Sequence, residues 1–178
     1  QRLQTVIGGT YAHRAEVDAI ADSGEPPTFD NTIAALDRSG RNLGRIERLF
    51  FNLTASETSD ALQAVERVMS PRLAAHYSAV YLHAGLFDRI DGLYRRQAEL
   101  ALGPEQLRLL GRVHLDFVRE GARLSGVARS RHAAIVERLA ELETRFSQNV
   151  LADEASYRLV LRNEQDLAGL PEGLRAAA

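Results

Sequence analysis

The segment from Pro26 to Thr54 joins a helix start signal to a long run of helically spaced apolar residues, and it constrains the fold most strongly. Pro26 and Pro27 cannot extend a helix, and Thr28 follows them as a candidate N-cap. Beyond this cap the apolar residues recur at helical spacing: Phe29, Ile33, Leu36, Leu43, Ile46, Phe50 and Leu53. The pattern predicts one long amphipathic helix, which could bend or fray at Ser39-Gly40.

The same periodicity recurs along most of the chain and predicts an all-α fold. Further helices are predicted over residues 3–21, 59–80, 84–100, 104–124 and 127–151, with Leu3, Val6, Val17 and Ile20 on one face of the first. Pro71 lies inside the second of these and should kink that helix or restart it. We therefore expect an antiparallel bundle of about six helices.

The segments 104–124 and 127–151 carry the most regular apolar seams, and a short loop joins them. This arrangement predicts an antiparallel helix hairpin at the centre of the bundle. Phe146 belongs to the second seam, so its ring is predicted to be buried. Truncating a buried Phe to Ala typically costs about 3–5 kcal/mol.

Ser156 to Leu161 is the only segment that predicts a β-strand, because bulky and partly β-branched residues follow one another between polar turns. No second strand is predicted, and the backbone of a lone strand needs a partner. We expect that partner beyond this chain. In the chain alone, this segment should become mobile or pair with its copy in a second molecule. Residues 166–169 predict a helical turn, and Pro171 predicts the start of a last helix.

Length and charge predict one helical domain over residues 1–178 and exclude some partners. The net charge of −2 and the lack of a long apolar run argue against nucleic acid and membrane, and we expect a cytoplasmic protein. The absence of cysteine excludes disulfides and thiolate metal sites. The chain starts without Met inside a helical pattern and ends without a helix stop signal. We therefore expect it to be a fragment of a longer protein.

Five histidines are the candidate metal ligands: His13, His76, His83, His114 and His132. Three of them, His76, His114 and His132, lie on apolar helix seams, which favours packed histidines over ligands. The HExxH zinc motif is absent. A site built from three separate helices stays open as the less favoured alternative.

The charged clusters predict solvated helix faces more than functional sites. One is a basic stripe that could bind phosphates or an acidic peptide: Arg38, Arg41, Arg45 and Arg48. The other is a group of carboxylates that could act as acid and base: Glu137, Glu141 and Glu143. Neither pattern has the interleaved aromatic residues or convergent groups that such sites need. We assign no catalytic, cofactor-binding or metal-binding residue from the sequence.

Six sequence blocks in order give the chain a more specific resemblance. They are PPTFDNTIAAL, FFNLTASETSDALQ, SPRLAAHYSAVYLHAGLFDRI, FVREGARLS, LETRFSQNVL and LAGLPEGLRAAA. In order and spacing they resemble the thimet oligopeptidase family, most of all its bacterial peptidyl-dipeptidase and oligopeptidase branch. The resemblance extends from about Ala15 to Ala178.

The resemblance implies the N-terminal helical region of a zinc metallopeptidase that cleaves short peptides. In that family the zinc ligands are the two His of an HExxH helix and a downstream Glu, and a Tyr and a His stabilise the oxyanion. All of these follow the matched region, so none falls on a residue of this chain. The family's helical region forms one wall of a channel that excludes folded proteins. The implied partner is the catalytic domain of the same polypeptide.

Two hypotheses from different classes follow. The first is a non-catalytic channel-wall domain of a peptidase that acts either as a peptidyl-dipeptidase or as an endopeptidase. The second is a free-standing helical interaction module without enzymatic activity. A reading frame that continues past Ala178 into an HExxH motif would distinguish the first from the second.

Overall fold

The structure is a computed structural model that describes residues 2–163 and 165–177, and all of their side chains except those of residues 2–5 and 177. Its regular elements are helices: α1 (Arg2–Ala21), α2 (Ala35–Arg38), α3 (Arg41–Ser56), α4 (Asp60–Tyr81), α5 (Ala84–Arg95), α6 (Pro104–Arg119), α7 (Gly126–Ser156) and α8 (Glu172–Ala177). A π-helical turn, Phe29–Ala34, leads into α2, and a 3-10 turn, Gln97–Glu99, follows α5. The all-α prediction is confirmed. None of the helices in the described ranges is both long and apolar enough to cross a membrane.

Thr28 caps the entry to α2 as predicted. Its hydroxyl accepts a hydrogen bond from the backbone N–H of Asn31 at 3.1 Å, and the Asn31 side chain accepts one from the backbone N–H of Thr28 at 2.8 Å. Each residue thus satisfies a backbone donor of the other, which fixes where the helical turn starts. The predicted side chain of Leu3 on the face of α1 lies outside the described side chains.

The long helix predicted from Thr28 is interrupted. Ser39 is extended, with ψ 157°, and Gly40 has φ 67°, in the left-handed region that favours glycine. A new helix, α3, starts at Arg41. The apolar spacing continues across this break. The spacing alone therefore could not show whether the helix bends at Ser39-Gly40 or ends there.

By contrast, α4 runs without a new start through Pro71, so of the two predicted outcomes the restart is wrong, and the kink stays a prediction. Met69 and Leu73 flank the proline and are buried, with 1% and 5% of their surface exposed. Their packing offsets the lost backbone hydrogen bond. Ser59 caps the start of α4, because its hydroxyl accepts a hydrogen bond from the backbone N–H of Leu62 at 3.3 Å.

The chain divides into two compact units, Gln1–Arg145 and Phe146–Ala178. In the first unit the main core lies between α1, α5 and α6, around residues that include Val17, Ile90 and Leu110, all fully buried. A smaller cluster joins α1, α3 and α4 and comprises Val6, Leu43, Met69 and Leu73. Assignment of residues 1–178 as one domain stays a proposal.

A buried arginine holds the loop between α1 and the π-helical turn. The Arg89 guanidinium is only 8% exposed and donates to the carbonyls of Ser23 at 3.0 Å and Glu25 at 2.9 Å. It also donates to the Asn31 side chain at 3.1 Å, and so reaches the N-cap of the next helix. The loop conformation therefore depends on a side chain from α5.

The predicted central hairpin of α6 and α7 is wrong. In the first unit α6 packs mainly against α5 and the π-helical turn. The helix ends at Arg119 because Gly121, with φ 91°, turns the chain, and the Ala122 N–H closes the end on the Phe117 carbonyl at 2.9 Å. On the part of α7 within this unit, Ile135, Leu139 and Leu142 are 43%, 50% and 42% exposed. Regular apolar spacing predicts that one face of a helix can be buried, but it does not identify the element that buries that face.

In the second unit two predictions fail. Phe146 is 69% exposed, so it is not a core residue of this chain. Ser156 is the last residue of α7, and residues 157–162 form no strand, because a strand needs a ladder partner and the described residues offer none. Residues 165–169 form turns, and α8 starts directly after Pro171 as predicted.

Candidate functional site

A pocket of about 260 Å³ lies between α1, α2, α4 and α6 of the first unit, and we call it the His13 pocket. Its walls combine an apolar floor with a polar rim. The floor consists of Leu36, Val80, Val113 and Phe117, and the rim consists of His13, Asp37, Ser39, Gly40, Tyr77, Tyr81 and Asp116. A concave site with an apolar lining and a few polar groups is the usual form of a ligand site.

His13, on the pocket rim, is hydrogen-bonded to a second histidine, His76, which does not itself line the pocket. His13 is 7% exposed, and its Nδ1 lies 2.9 Å from Nε2 of His76. On the other side of the His13 ring, Nε2 lies 3.3 Å from Oγ of Ser39. Ser39 in turn donates its hydroxyl proton to the Leu36 carbonyl at 2.7 Å.

These distances assign the protons along the chain. Because the Ser39 hydroxyl donates to a carbonyl, its oxygen accepts from His13, so Nε2 of His13 carries the proton. His13 Nδ1 then accepts from the Nε2–H of His76. A Ser–His nucleophile requires the opposite arrangement, with the imidazole accepting from the hydroxyl. Ser39 is therefore a structural hydroxyl and not an activated nucleophile.

Gly40 makes room for this histidine pair. A Cβ atom added to Gly40 would lie 3.0 Å from the His13 ring, and the backbone there has φ 67°. The Gly40 N–H also donates to the Glu16 carboxylate at 2.7 Å. Both the space and the conformation thus require glycine between α2 and α3.

Burial keeps the histidine pair neutral. It lowers the pKa of His13, and the nearby Glu16 carboxylate opposes this in part. Burial, followed by repulsion from His13 and Arg14, lowers the pKa of His76 to about 4. At neutral pH the two rings can therefore share one hydrogen bond without charge repulsion.

Tyr77 connects the pocket to the half-buried carboxylate of Glu47. The Tyr77 hydroxyl donates to Oε2 of Glu47 at 2.8 Å, and burial together with this carboxylate raises the pKa of Tyr77. Burial also raises the pKa of Glu47, although the bond from Tyr77 and the charge of Arg48 oppose it. The other oxygen, Oε1, is buried without a hydrogen-bond partner in the described part of the chain.

The other histidines are separate from the pair. His83 caps α5, because its Nδ1 accepts from the Leu86 N–H at 3.2 Å, and its Nε2 lies 3.3 Å from Asp18. His114 bonds to Asp91 at 3.0 Å. Its ring stacks on Tyr94 with centroids 3.9 Å apart. His132 bonds to none of these histidines, and its Nδ1 is buried without a hydrogen-bond partner among the described residues.

No three His, Cys, Asp or Glu side chains converge as a metal site among the described residues. The arginines of the predicted basic stripe, Arg38, Arg41, Arg45 and Arg48, are exposed. The three candidate carboxylates lie on a solvated surface, as expected. Glu141 pairs with Arg138, and Glu137 and Glu143 are exposed. Asp91 and Arg95, one turn apart on α5, form an ion pair at 2.7 Å.

Most residues of the His13 pocket could not be predicted from the sequence. Ser39 and Gly40 were identified only as a place where a helix could bend, and Tyr77 and Tyr81 were not singled out. The usable signal was local: a Ser-Gly pair inside an otherwise regular helical pattern. No local pattern could bring it beside His13 and His76, because these two are 63 positions apart.

Comparison with known proteins connects this helical fold to peptidases. The dipeptidyl carboxypeptidase of Escherichia coli (strain K12) is 37% identical over 164 residues, which cover 92% of this chain and 24% of that protein. Its counterpart in Salmonella typhimurium is 36% identical over 171 residues, or 96% of this chain and 25% of that protein. Oligopeptidase A of Salmonella typhimurium is 28% identical over 165 residues, or 93% of this chain and 24% of that protein. No protein-family model matches the chain.

The resemblance indicated by the sequence blocks is thus confirmed. Over nearly all of its length the chain is homologous to bacterial peptidases. More particularly, its relatives are dipeptidyl carboxypeptidases and oligopeptidase A, and the chain spans about a quarter of their length.

Proposed function

We propose that this chain is the N-terminal helical region of a zinc metallopeptidase that hydrolyses short oligopeptides, and that it forms one wall of the substrate channel. The similarity to a dipeptidyl carboxypeptidase, 37% identity over 92% of this chain, carries the proposal. The parent enzyme is a peptidyl-dipeptidase or an oligopeptidase. Its catalytic domain, in the same polypeptide, is the partner of this region.

The donor groups described here do not fit a catalytic zinc ion. His13 and His76 use their facing nitrogens to bond to each other, and no third ligand converges on them in the described part of the chain. Ser39 is not activated either, because its proton goes to the Leu36 carbonyl. In this proposal the chain alone is not catalytic, and zinc binds another part of the parent enzyme.

Uncovered apolar positions on α7 support a larger parent. Ile135, Leu139 and Leu142 follow one another at helical spacing and leave about half of their surfaces exposed, between 42% and 50%. Apolar residues at this spacing normally mark the face that a helix buries. The relatives are about four times as long as the matched region, so they hold ample chain to cover such a face. We assign that cover to the catalytic domain.

The test uses the parent protein, after its reading frame has been extended past Ala178 and checked for an HExxH motif. In that protein Leu139→Gln and Leu142→Gln would place amide groups in a buried interface. Each should cost about 2 kcal/mol or more in the free energy of unfolding, measured in urea, and lower hydrolysis of quenched peptides. In this chain alone the same changes should stay within about 0.5 kcal/mol, because both positions face water.

Glu143→Gln, on an exposed neighbouring position of α7, is the matched control and should change neither protein. If the leucine variants leave the parent enzyme as stable and active as the wild type, then the catalytic domain does not cover α7. A reading frame that stops soon after Ala178 without HExxH would instead support a free-standing interaction module.

A further inference from the structure

The His13 pocket has a distinct charge pattern. Two carboxylates, Asp37 and Asp116, line it, and no arginine does, although the chain has 22 basic residues. Asp37 is exposed and has no ion-pair or hydrogen-bond partner in the described ranges. Asp116 binds Arg112 through Oδ2 at 3.1 Å, and no bond to its Oδ1 is found among the described residues. The rim is therefore acidic at neutral pH.

Besides these carboxylates, the pocket lining includes aromatic and aliphatic side chains from both rim and floor. Tyr81 and Phe117 pack edge to face with ring centroids 5.0 Å apart, and Val80 and Val113 complete this side. Aromatic faces attract organic cations, and aliphatic walls accept an alkyl stem. The pocket volume of about 260 Å³ can hold a chain of several methylene groups.

The pKa of Tyr81 also reflects the negative charge near the pocket. Burial raises the pKa of this phenol, and the charges of Glu120 and Asp116 raise it further. The neighbouring histidine adds no positive charge, because burial lowers the pKa of His13. Of the two pocket carboxylates, Asp116 is already paired with Arg112, so a positive head group would be attracted chiefly by Asp37 and by the other oxygen of Asp116.

We propose that the His13 pocket binds an alkylammonium group of a peptide, with the cation between Asp37 and Asp116 and the alkyl stem against Tyr81 and Phe117. The peptide origin of that group rests on the proposed function, whereas the alkylammonium specificity rests on the pocket alone. Two peptide groups carry this chemistry, a lysine side chain and an N-terminal amine. The pocket would then hold part of a substrate away from the catalytic zinc.

The first experiment titrates the 178-residue chain with n-butylammonium chloride and follows its amide and methyl resonances by NMR. We expect saturable shifts at Tyr81, Val113 and Phe117 in the millimolar range, which suits so small a probe. n-Butanol has nearly the same shape without the charge and should bind at least about five-fold more weakly. Equal binding of butanol would overturn the proposal, because the carboxylates would then have no role.

Asp37→Asn removes one of the two charges and keeps the shape of the side chain. It should weaken n-butylammonium binding about three-fold or more, as expected for an exposed ion pair. Asp88→Asn, an exposed carboxylate on α5 that does not line the pocket, is the matched control and should leave binding unchanged. Unchanged amide positions away from the pocket would show that the variants fold. Wild-type affinity in the Asp37 variant would contradict the proposal.

Three short peptides distinguish the two sources of the ammonium group. Acetyl-Ala-Lys-Ala-amide offers only a lysine amine, Ala-Ala-Ala-amide offers only an N-terminal amine, and acetyl-Ala-Ala-Ala-amide offers neither. Shifts with one or both of the first two, and none with the third, support the proposal and identify the source. If no peptide binds, the peptide occupant is wrong. The butylammonium result does not depend on whether the parent is a peptidase, so the two proposals can fail separately.

Discussion

At the scale of single residues, the histidine pair gives the first unit a sensitivity to acid. His13 and His76 are both held below the ordinary histidine pKa by burial, His76 at about 4. Between about pH 6.5, the ordinary value, and pH 4 the unfolded chain binds more protons than the folded one. The pair's contribution is therefore complete above pH 6.5 and is lost as pH falls towards 4.

We predict that His76→Gln flattens this dependence. The variant removes one of the shifted groups, while its amide can still donate to His13. Urea unfolding at neutral pH and at about pH 5 should show a smaller loss of stability in the variant than in the wild type. Equal losses in the two proteins would mean that the pair does not resist protonation in the folded state.

At the scale of helices, α7 contributes little to the core, and this leads to a second prediction. Phe146 is 69% exposed, so Phe146→Ala should change the free energy of unfolding by no more than about 0.5 kcal/mol. Leu110 on α6 is fully buried, and Leu110→Ala should cost about 2–5 kcal/mol. Chemical unfolding of both variants measures the contrast. A large loss of stability in Phe146→Ala would instead show that the Phe146 ring is buried, as the sequence predicted.

The α7 helix forms without this cover for a local reason. It has 31 residues, well above the roughly 12–15 at which isolated helices become marginally stable. Alanine, leucine, glutamate and arginine dominate it, and all four favour helices. Helix formation and burial are thus separable here, and a periodic pattern predicted only the first.

Features that depend on residues close together in the sequence could be predicted, whereas features that depend on contacts between distant segments could not. Thr28 was predicted as a cap, because a cap bonds within three residues along the chain, and Ser59 caps α4 in the same local way. The partner of α6 and the meeting of His13 with His76 depend on contacts between distant segments, which periodicity does not encode. The strand predicted at Ser156 to Leu161 failed for a related reason, since bulky residues favour a strand only where a second strand is available.

At the scale of the whole molecule, the exposed segment after α7 leads to a third prediction. Tyr157, Leu159 and Val160 are 72%, 71% and 64% exposed. We propose that this segment, Ser156 to Leu161, either pairs with its copy in a second molecule or is mobile, and we favour pairing because exposed extended segments without a ladder partner recruit one. Sedimentation should then show a dimer for the 178-residue chain and a monomer for a chain that ends at Ala155. Monomers in both cases would exclude such pairing.

The Arg89 contacts restrict how the loop before α2 can vary in length. Surface loops usually tolerate insertions and deletions well. Here one guanidinium from α5 reaches the carbonyls of Ser23 and Glu25 and the side chain of Asn31, so an extra residue between them would pull acceptors away from a buried cation. Losing such a partner costs about 1–3 kcal/mol or more. The segment from Ser23 to Asn31 is therefore a fixed spacer, and related chains that retain this arginine are expected to retain its length.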